Sequence, residues 1–370
     1  IYGSVGKLLE VPQEVIDAGG EPSPIRNTAN TNVLYHGGKL LAMWEGGFPH
    51  LLNSDLSTVG LYDYEGALQP GDALTAHPKI CPDTGDLISC TQRWDSPNYY
   101  VQVFDKHARH KQTILVEFPR KGIIHDLQIT DNYIVIFYAP SFHSVEKAMR
   151  GEDPFEWEPD LGTKIIAIPR DGTSPQIVFE TEAFLSWHYC NGYEQGGKLI
   201  IDYIWINSIP FTQAQGTGVE KQPRRMYRMT LDPKTKAVTN EQFSDVFCEF
   251  SRVDERRMGK PYRYGFAASS NRDWGDAHGY NCTGRYDFET GETRLWEFGE
   301  EANAGEPAYV PSPDSEREED GWIVNFVYNP GEGAFLSVLS AGDFDNGPIA
   351  TVSYTHLTLP TTLPRCRSRW

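Results

Sequence analysis

Five times along the chain an aspartate, a few polar residues and then a glycine or lysine separate two alternating apolar segments. The instances are "CPDTGDLIS" at Asp83, "FDKHARHKQTILV" at Asp105, "PRDGTSPQIV" at Asp171, "LDPKTKAVTN" at Asp232 and "YDFETGETRLW" at Asp287. Each is a hairpin signal, with turn formers set between two stretches of strand periodicity. Further strand-like stretches, among them "NVLYHGGKLLAMW", "YIVIFY", "GKLIIDYIWI" and "GWIVNFVYN", fill the rest of the chain. Helical periodicity is nearly absent, "VEKAMRG" around Lys147 being the best local candidate. The chain is therefore predicted to be all-β. Short four-stranded units repeated end to end favour a β-propeller, in which radial repetition protects sheet edges, over a pair of two-sheet sandwiches.

Composition narrows the function classes. With 33 basic against 51 acidic residues the net charge is −18, spread along the chain, and a phosphate backbone would be repelled. Nucleic acid is excluded as a partner on this ground. Cys81, Cys90, Cys190, Cys248, Cys282 and Cys366 include no C-x-x-C pair, which favours reduced, buried thiols and a cytoplasmic setting. The longest apolar run, "LIIDYIWI" from Leu199, is too short to span a bilayer and carries Asp202. Because the chain opens on Ile1, an upstream segment and a peripheral membrane contact stay open. No obligate protein partner is indicated.

One boundary stands out. From Ser353 the chain reads "SYTHLTLPTTLPRCRSRW", without Asp, Glu or Gly, after a body rich in all three. A basic C-terminal extension would explain this. A non-native tail over 353–370, following a strand "GPIATV" that stops without a partner, is the preferred expectation.

Three of the ten histidines share a setting. His77 in "LTAHPKICPDTGDL", His125 in "GIIHDLQITDNYIVI" and His188 in "FLSWHYCNGYE" each lead into a hairpin, at intervals of 48 and 63 residues. If each stands at the same end of an inner strand, the three imidazoles converge and make a metal site suited to iron, copper, zinc or nickel. Taken singly, each is as readily a structural histidine; His125 in particular shares a period-two face with Leu127 and Ile129. Glu45 in "LLAMWEGGFPH", Glu249 in "DVFCEFSRVD" and Glu306 in "NAGEPAYVP" sit in apolar or aromatic contexts, where a carboxylate needs a partner. Metal-bound imidazoles commonly supply one through their second N–H. Surface carboxylates beside turns are the bland alternative.

"TAHPK…TGDL", "IHDLQITDNYIVI", "WHYCNGYE", "GKPYRYGFA", "GEPAYVPSPDSEREEDGWIVNFVYNP" and "LSAGDFDNGPIATV", in collinear order from about Asn27 to Val352, resemble the carotenoid cleavage oxygenases. That group also contains stilbene-cleaving dioxygenases and retinoid isomerohydrolases. The resemblance implies a seven-bladed propeller, with a dome of loops over one face and an axial non-haem Fe(2+) held by four histidines. His77, His125 and His188 match the first three ligand motifs. It further implies that Glu45 bonds His125, that Glu249 bonds His188 and that Glu306 serves the fourth histidine. The family's fourth ligand stands in a Pro-x-Gly-Phe-His-Gly segment; here "TTLPR" occupies that region, and His356 lacks the following glycine and is not accepted as the ligand. Residues 1–352 are accordingly expected to be a partial propeller, incomplete at both ends and inactive as it stands, from a parent that is an enzyme.

The implied chemistry is oxygen-dependent cleavage of one C=C bond of a carotenoid or apocarotenoid, an apolar polyene, to two carbonyl products. Aromatic residues near the histidines are the candidate channel lining: Trp44, Phe48, Trp94, Tyr99, Phe142, Trp187 and Tyr189. Stilbene-cleaving relatives typically carry Lys directly before the first of the three glutamates, where this chain has Trp44, which argues for a carotenoid over a hydroxystilbene. The alternatives are a stilbene-type dioxygenase and a non-catalytic propeller that serves as a binding scaffold. A calcium-dependent hydrolytic propeller is weaker, because acidic and Asn ligands would then have to converge.

Overall fold

All five aspartate turns form hairpins in the computed structural model, and four of them are built in the same way. Oδ1 of Asp105, Asp171, Asp232 and Asp287 accepts two backbone N–H groups from the residues just ahead of it, at 2.8–3.3 Å. The side chain thereby adds an acceptor to that of the backbone, since the carbonyls of Asp105, Asp232 and Asp287 also take the N–H groups of Ala108, Lys236 and Gly291. At Asp83 the device differs: Thr84 Oγ1 accepts the N–H of Asp86 at 3.2 Å. The structure describes residues 27–93, 96–144, 146, 147, 150, 155–207, 224–272 and 279–354. Trp94, His356 and the tail from residue 355 onward lie outside them.

The chain divides into two units, the first within Ile1–Gln222, Met229–Asn240 and Met258–Pro261, the second within Pro223–Arg228, Glu241–Arg257 and Tyr262–Trp370. The first unit contains three antiparallel sheets with four strands in simple succession. One runs Asn32–His36, Lys39–Met43, His50–Leu52, Thr58–Leu61. The next runs Asp72–Leu74, Leu87–Arg93, Tyr99–Phe104, His110–Val116, with Lys79–Ile80 also paired to Leu87–Arg93. The third runs Gln128–Ile129, Tyr133–Tyr138, Thr163–Pro169, Ile177–Thr181. Tyr189–Gln195 and Lys198–Trp205 follow as a further antiparallel pair. Repeated four-stranded, up-and-down sheets are the propeller-like arrangement that the hairpin spacing predicts.

In the second unit the far end of the Val238–Val253 strand pairs with Tyr264–Ser270, then come Cys282–Asp287 and Glu292–Glu297. A separate sheet places Gly321–Asn329, Gly333–Ser340 and Pro348–Tyr354 side by side, with Asn303–Ala304 and Ala308–Pro311 on its near edge. The strand expected to stop unpartnered at Val352 is in fact paired and continues to Tyr354, with Ser353 opposite Phe335 and Tyr354 opposite Ala334. A change of side-chain composition does not interrupt a ladder made of backbone groups. Helical structure among the described residues is confined to Glu146–Lys147 and to 3₁₀ turns at Pro159–Leu161, Glu255–Arg257 and Phe344–Asn346.

The largest core of the first unit joins two neighbouring sheets. Ile88, Cys90 and Val101 from one meet Ile129, Ile134, Ile136, Ile166 and Ile168 from the next, all nearly inaccessible to solvent. Each fully buried aliphatic side chain contributes about 1.5–3 kcal/mol, so this seam holds the two sheets together. The first hairpin turns at Gly37 and Gly38, both at positive φ, and a Cβ on Gly37 would fall 2.6 Å from that of Ala108. Only glycine satisfies both the left-handed backbone and that close approach.

Candidate metal centre

Each of the three matched histidines stands just ahead of the first strand of its hairpin. His77 precedes Lys79–Ile80, His125 precedes Gln128–Ile129 and His188 immediately precedes Tyr189–Gln195. The strand that the alternation would open at His125 therefore begins only at Gln128. Its strand face is not half-exposed either: Leu127, Gln128 and Ile129 are all fully buried. Gln128 is tolerated there because its Nε2 donates to Asn191 Oδ1 at 2.9 Å and to the Ile129 carbonyl at 3.1 Å.

The structure brings the three rings together. One nitrogen of each of His77, His125 and His188 lies within 4.8 Å of the others. Ring centroids are 4.5 Å apart for His77 and His125, 4.8 Å for His77 and His188, and 5.2 Å for His125 and His188. His77 and His188 are buried, and the His125 side chain keeps 12% of its exposure. Backbone bonds hold the segments: Thr75 N–H donates to Cys90 O at 2.8 Å, and the His188 carbonyl accepts the Ile204 N–H at 3.0 Å.

Glu45 is placed as the resemblance implies. Its Oε2 accepts a short hydrogen bond from His125 Nδ1. With the proton fixed on Nδ1, Nε2 carries the lone pair that a metal would use. The backbone around Glu45 is itself tied down. Gln92 Nε2 donates to the Glu45 carbonyl at 3.2 Å, and the Tyr99 hydroxyl lies 3.1 Å from Gln92 Oε1 and 2.9 Å from the Gly122 carbonyl.

Glu249 and Glu306 belong to the second unit. Glu249 is fully buried, and its Oε2 accepts the Phe250 N–H at 3.0 Å at a bulge where the pairing with Tyr264–Ser270 shifts register. Glu306 forms an ion pair with Arg252, a partner that the "GEP" context does not announce.

Of the aromatic candidates, Trp187 alone among the described residues is seen edge-on against a site histidine, 5.0 Å from the His125 centroid and at 88° to it. Trp44 is half-buried and its ring lies over Gly46, where a Cβ would collide with it. Phe48, Tyr99, Phe142 and Tyr189 are core residues. Phe48 packs with Leu41, Met43 and Leu74, Tyr99 meets Phe118 edge-on, and Phe142 lies under the Arg120 guanidinium at 3.9 Å. Tyr189 packs on Phe137 at 4.7 Å, and its hydroxyl oxygen accepts the Phe137 N–H at 2.9 Å. Burial first, and then the nearby Asp126 carboxylate, raise that hydroxyl well above the usual phenol range, so it stays protonated.

Sequence reading missed two charged residues in the midst of the site. Lys79 Nζ and Asp126 Oδ1 form a 2.7 Å ion pair with side chains only 9% and 2% exposed. Their signal was present: "HPK" and "HD" each set a charge within two residues of a matched histidine.

Three imidazoles with no thiolate make a neutral nitrogen donor set. Such a set suits iron, cobalt, nickel, copper or zinc and disfavours the oxygen-seeking calcium and magnesium. The residues therefore fit a transition-metal ion.

Residues 7–362 match the family model described as retinal pigment epithelial membrane protein. The chain belongs to this family of carotenoid cleavage oxygenases. It is 32% identical over 353 residues to the apocarotenoid-15,15'-oxygenase of a Synechocystis species, covering 90% of this chain and 71% of that one. It is also 32% identical over 346 residues to isoeugenol monooxygenase of Pseudomonas nitroreducens, covering 88% and 72%. Among solved structures, cobalt-substituted Synechocystis ACO superposes with a TM-score of 0.83 at 30% identity, over 90% of this chain and 72% of that one. Both of these relatives are oxygenases by name, and the all-β fold is shared with the Synechocystis structure. Among the described residues no helix is long and apolar enough to cross a membrane.

Proposed function

We propose that the chain carries the metal centre of an Fe(2+)-dependent dioxygenase that cleaves one C=C bond of a carotenoid or apocarotenoid to two carbonyl products. The observation that carries the reading is the convergence of His77, His125 and His188 with Glu45 bonded to His125. Iron, when bound, supplies oxygen activation beside the alkene. Everything else asked of the protein is positioning. Glu45 sets the His125 tautomer; Glu249 and Glu306 are assigned supporting roles on the family resemblance alone, Glu306 with Arg252 as its ion-pair partner. Trp187, edge-on against His125, is the side chain best placed to exclude water and hold an apolar polyene against the site, and Trp44, next to Glu45 in the chain, is assigned to the same wall. Phe48, Tyr99, Phe142 and Tyr189, the other nominated aromatics, pack into the core. A seven-bladed ring with a loop dome is the architecture this reading requires. The five described cysteines, all buried, accord with a cytoplasmic setting.

A second reading, cleavage of a phenolic propenyl or stilbene double bond, is favoured by the likeness to isoeugenol monooxygenase. Trp44, standing where a phenol-binding lysine would be expected, weighs against it. Metal content is the first test because it does not depend on turnover. Protein reconstituted with Fe(2+) should retain iron after gel filtration, and His125→Ala should lose it. Oxygen-dependent bleaching of an apocarotenal should vanish in the same variant. A natively folded protein that holds no iron and bleaches nothing would leave the binding-scaffold reading in place. Cleavage of isoeugenol but not the polyene would select the second reading.

A further inference from the structure

We infer that the buried Asp126–Lys79 pair positions the three histidine-bearing segments for metal binding, an inference that rests on reading His77, His125 and His188 as ligands. One carboxylate reaches all three segments. Asp126 directly follows His125; its Oδ1 accepts from Lys79 Nζ, two residues past His77, at 2.7 Å. Its Oδ2 accepts the backbone N–H of Tyr189, the residue after His188, at 3.1 Å. Oδ1 also takes the Leu127 N–H at 2.7 Å, and the Asp126 backbone forms an isolated parallel bridge with His77. Each contact lies within two residues of a site imidazole, so moving this carboxylate moves the rings.

The chemistry requires a charged group here. A carboxylate offers about four lone-pair sites on two oxygens, whereas an amide offers about two on one oxygen and adds donors. Asparagine could not satisfy Lys79, Leu127 and Tyr189 together. Lys79 supplies the matching charge, so the pair adds no net charge beside three neutral donors, and neither ion would be tolerated in this burial alone. A pair that served the core only would be replaceable by neutral groups of similar volume without consequence for the rings.

That difference gives the test. Apo-protein is titrated with Co(II) under a competing chelator, and the visible d–d absorption, which reports ligand number and geometry, is recorded for wild type, Asp126→Asn and the double variant Asp126→Asn/Lys79→Met. Loss of a group that orients metal ligands costs on the order of 10–100-fold in affinity. The expected result is that loss, together with a changed band, in Asp126→Asn. The double variant removes both charges and so guards against misfolding. It should keep the circular dichroism of the wild type yet bind Co(II) at least about tenfold more weakly. Wild-type affinity and band in a folded double variant would overturn the proposal, whatever its melting temperature. Absence of Co(II) binding in the wild type, or undiminished binding in His125→Ala, would instead overturn the metal reading, and the positioning role with it.

Discussion

Replacing Glu45 by glutamine isolates one contribution to the metal site. The Glu45 carboxylate accepts from His125 Nδ1, and a glutamine amide in its place can keep that geometry through Oε1 while losing the charge. The Gln92 bond is to the Glu45 backbone carbonyl, so it survives the exchange. What is lost is the excess of a charge-assisted hydrogen bond over a neutral one. Hydrogen bonds to charged groups contribute about 1.5–3 kcal/mol against roughly 1 for neutral ones, leaving about 0.5–2 kcal/mol. Outer carboxylates of metal sites typically contribute about 10–100-fold in affinity, or roughly 1.4–2.8 kcal/mol at 1.4 kcal/mol per decade. The two ranges overlap between about 1.4 and 2 kcal/mol. The Glu45 side chain is 35% exposed against 12% for His125, so solvent screens part of its charge and the lower end applies. The expected outcome is Co(II) binding weakened about tenfold, measured by chelator competition at pH 7.5, with the apo-protein destabilised by no more than about 2 kcal/mol. Glu45→Gln protein that binds Co(II) within about twofold of wild type would refute the argument, because the carboxylate would then play no part in setting the His125 donor.

Two further outcomes follow from the described structure. The Asp171 carboxylate is held down to about 2 by the Ser174 hydroxyl and N–H and by the Thr173 N–H. Its folded-state value is depressed, so its contribution to stability is fully present above the ordinary carboxylate range of about 3.9 and is lost as pH falls through about 2. Side-chain carbonyl NMR should show that low titration, and Ser174→Ala should move it upward; an unshifted midpoint in the parent would refute the turn geometry. Ile136 is fully buried in the seam between two sheets, and Ile136→Ala should cost about 2–5 kcal/mol, read as a lower urea midpoint. A loss under about 1 kcal/mol would mean that the seam collapses around the gap rather than holding the strands.

What could be read from the sequence was local or periodic. An aspartate four residues or fewer from the N–H groups it caps acts within one turn, so Asp105, Asp171, Asp232 and Asp287 announce their hairpins wherever the chain goes afterwards. Repetition singled out the histidines, since a residue at the same place in successive hairpins arrives at a matching place in space, and the family resemblance, not the intervals of 48 and 63 residues, made them ligand candidates.

The pairings between those repeats were not legible, even where a charge beside a matched histidine marks one member, since nothing local specifies its partner. Gln128 keeps the apolar–polar alternation of its neighbours yet is as buried as they are, and it is Asn191, 63 positions away, together with the Ile129 carbonyl, that allows a buried amide there. Asn191 Oδ1 also accepts the N–H of Gly259 at 3.0 Å, so its identity is fixed by two segments that the sequence sets far apart. The same holds for Asp126, whose sequence neighbour His125 attracts the attention while its own partners stand 47 and 63 positions away. A low-dielectric interior makes each of these groups costly unless every partner is in place. The residues hardest to foresee around the histidines are therefore those whose substitution should disturb the rings most.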